Sequence, residues 1–209
     1  MPANDDLPDT VVLDTCVLLS NPLRWLLLRL GAQQCFRPVW SPVIGDEWRR
    51  NAGRAWGLDP ADARARWDAL QQLFPDASQE GIEPFKAGIA RSDPKDWHVI
   101  AAGRAALALR PAARVAVLTR NIKDFNRAEL RRLGLGLFDP DRFLARCLWR
   151  YPALLAALLD EMPQAAAAAG RPVEPLDAVL RRERLFRVNR LLALPDYGMP
   201  AAPRRDAAP

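Results

Sequence analysis

The sequence predicts an α/β fold: a three-layer α/β/α sandwich with a mostly parallel central sheet, followed by C-terminal helices. Three observations lead there. Short apolar runs at 11–13, 115–118 and 135–138 have the length of buried strands. Between them lie amphipathic stretches opened by Ser-Pro or Asp-Pro pairs, the pattern of capped helices. After Tyr151 the strand-like runs stop, and leucines at helical spacing take over. Strands alternating with helices argue for a parallel sheet over residues 9–149, with a helical extension over 150–195 and a disordered, proline-rich tail over 196–209.

Residues 1–9 read as a loose leader, and "TVVLD" as a buried strand ending at Asp14. "QCFRPVW", Cys35 to Trp40, is a weaker strand. Ser41 caps and Pro42 opens a helix, and Asp59 with Pro60 repeats that start. Asp93 and Pro94 open a third helix, with Asp96 in its first turn. Val99, Ile100, Gly103 and Leu107 then form an apolar face that contains a small residue, and Asp96 heads that inward stripe. Val115 to Leu118 is a strand terminating at Thr119. A short helix, "NRAELRRLG", stops at Gly134, and a further strand leads to a helix capped by Asp139. In the extension, a helix bearing Leu155, Leu158, Leu159 and Met162 ends at Pro163, and "EPLDAVLRRERLFRVNRLLAL" reads as one amphipathic helix.

With 209 residues the chain can bury a sizeable core. Its formal charge of +5 permits a polyanionic partner without demanding one. The acidic start of the chain has no apolar core of a signal peptide, and "RWLLLRLG" is too short to span a bilayer, so a cytoplasmic protein is expected. Cys16, Cys35 and Cys147 are odd in number and lack a CxxC pair, which suits packed thiols rather than a disulfide frame or a zinc site. A single histidine, His98, excludes zinc fingers and HExxH proteases.

The acids carry the chemistry. Asp14 lies just past the carboxyl end of the first strand, and Thr119, Asn121 and Asp124 just past that of a later one. In open α/β sheets, ligands bind outside those strand ends, and helix N-termini such as the one carrying Asp96 open on the same edge. Glu47 borders an apolar face beside Trp48, although its neighbour Asp46 is equally well spaced. Each acid has an ordinary alternative use: Asp14 as a turn cap, Glu47 as a solvated helix residue, Asp96 as complement to a helix dipole at roughly 0.3–1 kcal/mol. Gathered together, however, carboxylates repel and raise one another's pKa unless a cation joins them. Oxygen ligands without histidine or thiolate favour Mg²⁺ or Mn²⁺. Such an ion polarises a phosphoryl oxygen and activates water.

Four pieces in this order, "VVLDTCVLLS", "SPVIGDEWRRN", "DPKDWHVIAAG" and "VLTRNIKDF", resemble the PIN-domain nucleases, especially VapC-type toxins of toxin–antitoxin pairs. The likeness covers about residues 10–145. It implies a compact α/β/α sandwich and Mg²⁺- or Mn²⁺-dependent RNA cleavage, with Asp14 and Asp96 as principal metal ligands and Glu47 as a third acid. Many relatives carry an acid two residues after the threonine, where this chain has Asn121; in a subset the acid at the Asp124 position serves instead. The implied partners are RNA, a small antitoxin protein and a second copy of the chain. Thr119, Arg120, Asn121 and Lys123 stand where substrate would meet the site, with the basic pair on the RNA backbone. Two competing functions are an inactive PIN-like RNA-binding module and a haloacid-dehalogenase-like phosphatase. The latter needs an acid two residues after Asp14, where this chain has Cys16.

Overall fold

The computed structural model describes residues 7–167 and 172–194. Strand β1 (Thr10–Leu13) is buried at every position and leads into α1 (Thr15–Leu18) and α2 (Asn21–Ala32). Helix α2 takes up the apolar stretch that is too short for a bilayer, burying Leu23, Leu26, Leu27 and Leu30 completely. Among the described residues no helix is long and apolar enough to cross a membrane. Strand β2 (Arg37–Val39) is shorter than the Cys35–Trp40 run, because the Trp40 backbone leaves it to exchange hydrogen bonds with Ala77 and Gln79.

Helices α3 (Pro42–Trp56) and α4 (Pro60–Leu73) begin as their Ser-Pro and Asp-Pro pairs dictate: Ser41 accepts from the Ile44 amide, and Asp59 from those of Ala61 and Asp62. A loop with 3₁₀ turns at Glu83–Lys86 and Pro94–Asp96 leads to α5 (Trp97–Leu109) and β3 (Val115–Leu118). Another 3₁₀ turn, Ile122–Asp124, precedes α6 (Arg127–Arg132), β4 (Leu135–Phe138) and α7 (Pro140–Arg150). The extension holds α8 (Pro152–Ala167), α9 (Leu176–Arg182) and α10 (Phe186–Leu192).

All four strands are parallel, in the order β2-β1-β3-β4. From β1 the chain steps one way to β2, then crosses back over β1 to reach β3. Parallel β–α–β units make right-handed crossovers, so these opposite steps send α1–α2 to one face of the sheet and α3–α5 to the other. The chain is therefore α/β with an all-parallel sheet, compatible with three layers. The reversal falls between β1 and β3, whose carboxyl ends carry Asp14 and Thr119. Gly103 lets α5 lie close on the sheet: a Cβ there would sit 3.1 Å from Leu135 and 3.3 Å from Val12.

Three expectations need correction. The Asp93–Pro94 pair starts a 3₁₀ turn rather than the α-helix, and Asp96 becomes the N-cap residue of α5. Helix α8 does not end at Pro163; it continues to Ala167, because the face of Leu155, Leu159 and Met162 extends to the buried Ala166 and outweighs a proline penalty of about 3 kcal/mol. The single helix expected after Glu174 breaks at Arg184, whose φ is 60°, and this turns Leu185 and Val188 into the core. There Asp141, on α7, accepts hydrogen bonds from the amides of Arg187 and Val188 and so caps α10 from another element. One hydrophobic cluster runs through both the sheet region and the C-terminal helices. The expected disordered tail at 196–209 lies outside the described residues.

Candidate metal centre

Side chains that cap helices in this chain do so visibly. Ser20, Ser41, Asp59, Asn126 and Asp139 each accept from an amide of the first turn. Asp14 and Asp96 occupy the same N-cap position and make no such bond. Their carboxylates are turned to other uses.

Asp14 is buried. Its Oδ2 accepts from the Thr119 hydroxyl at 2.6 Å and from the Cys16 thiol at 3.0 Å. Thr119, itself fully buried, also accepts from the Asn121 amide at 2.9 Å. Thr119 thus ties the end of β3 to the end of β1 and fixes the rotamer of Asp14. Burial, the Asp14 charge and the bond to Asp14 push the Cys16 thiol up to about 12, so it stays protonated and donates.

The partly buried Asp96 is raised to about 6, first by burial and then by the charges of Asp14 and Asp124. Three segments remote in sequence therefore meet in one field. The carboxylates with oxygens all within 4.8 Å of one another are Asp93, Asp96 and Asp124; Asp14 acts on Asp96 from outside that trio. Sequence reading gives Asp93 only a capping role, which it keeps, accepting from the Lys95 amide at 3.0 Å. The signal for more is the D-x-x-D spacing across one tight turn. The Lys95 amide and ammonium hold Asp93 below the usual carboxylate range. The Asp93 amide donates to the Asp124 carbonyl at 2.8 Å, locking the two acidic turns together. Asn121 donates through Nδ2 to Asp124 Oδ2.

Glu47, not Asp46, faces this rim: Asp46 is exposed and paired with Arg49. Glu47 Oε2 accepts from the Thr15 hydroxyl at 2.8 Å and lies 3.4 Å from His98 Nε2. Burial alone would raise Glu47, but His98, Thr15 and Arg50 together bring its carboxyl below the usual range. His98 is buried, and its Nε2 has no hydrogen-bond partner of good geometry among the described residues.

Sequence reading misses the residue that builds the Asp93–Asp96 turn. Glu129, on α6 and 2% exposed, accepts from the amides of Ala90, Arg91 and Ser92 at 2.8–3.0 Å and from the Ser92 hydroxyl at 2.8 Å. Burial raises its pKa, and these four donors more than offset that, leaving it low. Nothing in the local pattern "NRAELRR" marks it, because its partners lie nearly forty positions away.

Of the two basic positions, Lys123 is exposed, while Arg120 donates to Glu183 just past α9. Glu183 is 8% exposed and also accepts from Ser20 Oγ at 2.6 Å. A separate cleft of about 510 Å³, lined by Asp9, Arg37 and Asp76, lies at the amino ends of the strands and contains none of the candidate acids.

No family model, curated protein or solved structure matches the chain. What the centre can do therefore rests on its own geometry. An all-oxygen, partly buried donor set with one carboxylate raised by burial and by its acidic neighbours fits a hard divalent cation, Mg²⁺ or Mn²⁺.

Proposed function

We propose that this protein is a metal-dependent endoribonuclease of the PIN-domain, VapC type, which hydrolyses RNA phosphodiester bonds as the toxin of a toxin–antitoxin pair. The observation that carries the reading is the uncapped Asp96, raised to about 6 at a sheet-order reversal where Asp14 and Asp124 also converge. Burial and the repulsion of the neighbouring acids both disfavour the charge of Asp96, and a cation relieves both. Asp96, Asp124 and Asp93 would hold that ion, with Asp14 at the same rim. When bound, the ion supplies Lewis-acid stabilisation of charge on a phosphoryl oxygen.

The chain's own groups have separable tasks. Thr119 and Cys16 occupy Oδ2 of Asp14, which presents its other oxygen in one orientation. Glu47 is ionised at neutral pH and can accept a proton at the oxygen opposite the one Thr15 engages. Lys123 is exposed beside the rim and can meet substrate phosphate, as can Arg120 once it exchanges Glu183 for that anion. A small antitoxin and a second copy of the chain are the partners this reading implies.

The test is direct. Purified protein with Mg²⁺ or Mn²⁺ should cut RNA, EDTA should stop it, and Asp14→Asn and Asp96→Asn should each abolish cutting while leaving the fold intact. Equal cutting by wild type and both variants would refute the assignment.

The hydrogen bond from Asn121 to Asp124 favours a second reading, since it engages one of the two oxygens of a carboxylate in the trio. On that reading the protein is an inactive PIN-like RNA-binding module. Titration with Mn²⁺ separates the two: the module would bind the ion negligibly, or bind it without cleavage.

A further inference from the structure

Beside the acidic rim lies a cleft of about 550 Å³ that the hydrolytic reading does not use. Its size falls within the range of sites that enclose a small organic group. Cys16 and Arg120 line it. They connect it to the metal centre, because Cys16 bonds Asp14 and Arg120 stands between Thr119 and Asn121. Trp56, the last residue of α3, lines it as well. Arg182 and Glu183 bring in the C-terminal helices.

The charges in this cleft are ion-paired, although the two Nη atoms of Arg182 lack a hydrogen-bond partner of good geometry among the described residues. Arg120 is paired with Glu183, and Arg182 is paired with Glu174 and lies 3.6 Å from Glu183. The phosphate of a bound nucleotide can exchange for Glu183 on Arg120 or meet the Arg182 nitrogens, while its neutral planar base needs neither. For such a group the cleft offers an aromatic surface and an unused donor. Arg24, outside the cleft, stands 4.6 Å over the Trp56 ring, and Trp48 packs against that ring at 5.4 Å, so the indole is held rigid. Asn21 also lines the cleft; its Oδ1 accepts from Arg24 at 2.6 Å, leaving Nδ2 without a partner among the described residues. Glu47 and Trp56 share helix α3 nine positions apart, about 14 Å along its axis. A single strand crossing the acids would reach the cleft within a short run of nucleotides.

We infer that this cleft is a nucleobase subsite: it takes one unstacked base of a single-stranded RNA against Trp56, with Asn21 at the base edge, and so places the neighbouring backbone at the acidic rim. The inference rests on the ribonuclease reading for its substrate class. Stacking of this kind is tolerant of sequence and depends on the π-face of the base.

The experiment measures fluorescence anisotropy of a labelled RNA oligonucleotide with the full chain in EDTA, so that binding is read without cleavage. Trp56→Ala should weaken binding about tenfold, and Trp56→Phe should restore it to within about threefold of wild type. Ala55 is exposed at the cleft mouth, so Ala55→Glu leaves the core untouched and should weaken binding by a similar factor. An oligonucleotide carrying abasic sites should bind wild type as weakly as the intact strand binds Trp56→Ala. If Trp56→Ala fails to fold, Ala55→Glu and the abasic strand decide alone. Wild-type binding by Ala55→Glu and indifference to base removal overturn the subsite, even where the protein cuts RNA with Mn²⁺. Base-dependent binding by a chain that never cuts retires the nuclease reading and leaves the subsite standing.

Discussion

Asp96 combines a burial penalty with the repulsion of Asp14 and Asp124, and its pKa yields a prediction with a definite sign. Its folded value of about 6 lies above its ordinary 3.8, so between those values the folded state binds more protons than the unfolded one. Stability of the metal-free protein should therefore fall as pH rises from about 4 to 6, as far as this group is concerned. Asp96→Asn removes the repulsion. It should raise the melting temperature of the metal-free protein at pH 7.5 and flatten that pH dependence, while abolishing any stabilisation by Mn²⁺. Differential scanning fluorimetry with and without the ion reads all three, and a lower metal-free melting temperature in the variant would contradict the shared field of Asp14, Asp96 and Asp124. Asp14 and Asp96 are legible in the sequence because each follows a recognisable boundary, a strand end or a helix start. Asp93 and Glu129 are not. Asp93 looks like a cap and is one, and Glu129 looks like an ordinary first-turn helix acid. Their second roles come from neighbours that only the fold brings near.

At the scale of elements, the strands and the Ser-Pro and Asp-Pro helix starts are readable because the forces that make them are local: apolar runs, a capping oxygen, a fixed proline φ. Elements that depend on tertiary contact are not. Pro163 is a local stop signal overruled by burial on both sides of it, and the break at Arg184 is stabilised by Asp141 from α7. The contact of α3 with α4 has the same character. Gly45 faces Trp67, and a Cβ there would approach the indole to 2.7 Å, closer than side chains tolerate. Gly45→Ala should therefore destabilise the protein by about 1–3 kcal/mol through overpacking, although alanine is the better helix former. Urea denaturation measures this, and a stabilised variant would show that α4 can shift at little cost. Since α3 carries both Glu47 and Trp56, the same substitution should also loosen RNA handling.

For the whole molecule, the helices after Tyr151 are structural partners of the sheet region rather than an appendage. Leu155, Leu159, Met162, Val179, Leu180, Leu185 and Val188 are all essentially excluded from solvent, within the same hydrophobic cluster as the strands. Helix α8 covers α2, and Glu183 reaches back to Ser20 and Arg120. Ending the chain at Arg150 would uncover the leucine face of α2 and leave Arg120 without its carboxylate. Such a truncated protein should aggregate or lose cooperative unfolding; a soluble product with a sharp thermal transition would show that residues 9–149 fold alone.

The sheet also has an outer margin, and β2 forms one side of it. The Arg37 amide points inward to the Asp9 carbonyl at 2.8 Å, so alternation aims the next backbone nitrogen outward, and there the chain has Pro38. The outer flank of this strand thus lacks a hydrogen at its midpoint, and Pro38 is itself buried, its ring close to Gly31 of α2. With the end of the strand bridged to Ser78, this margin offers a foreign strand one donor fewer to pair with.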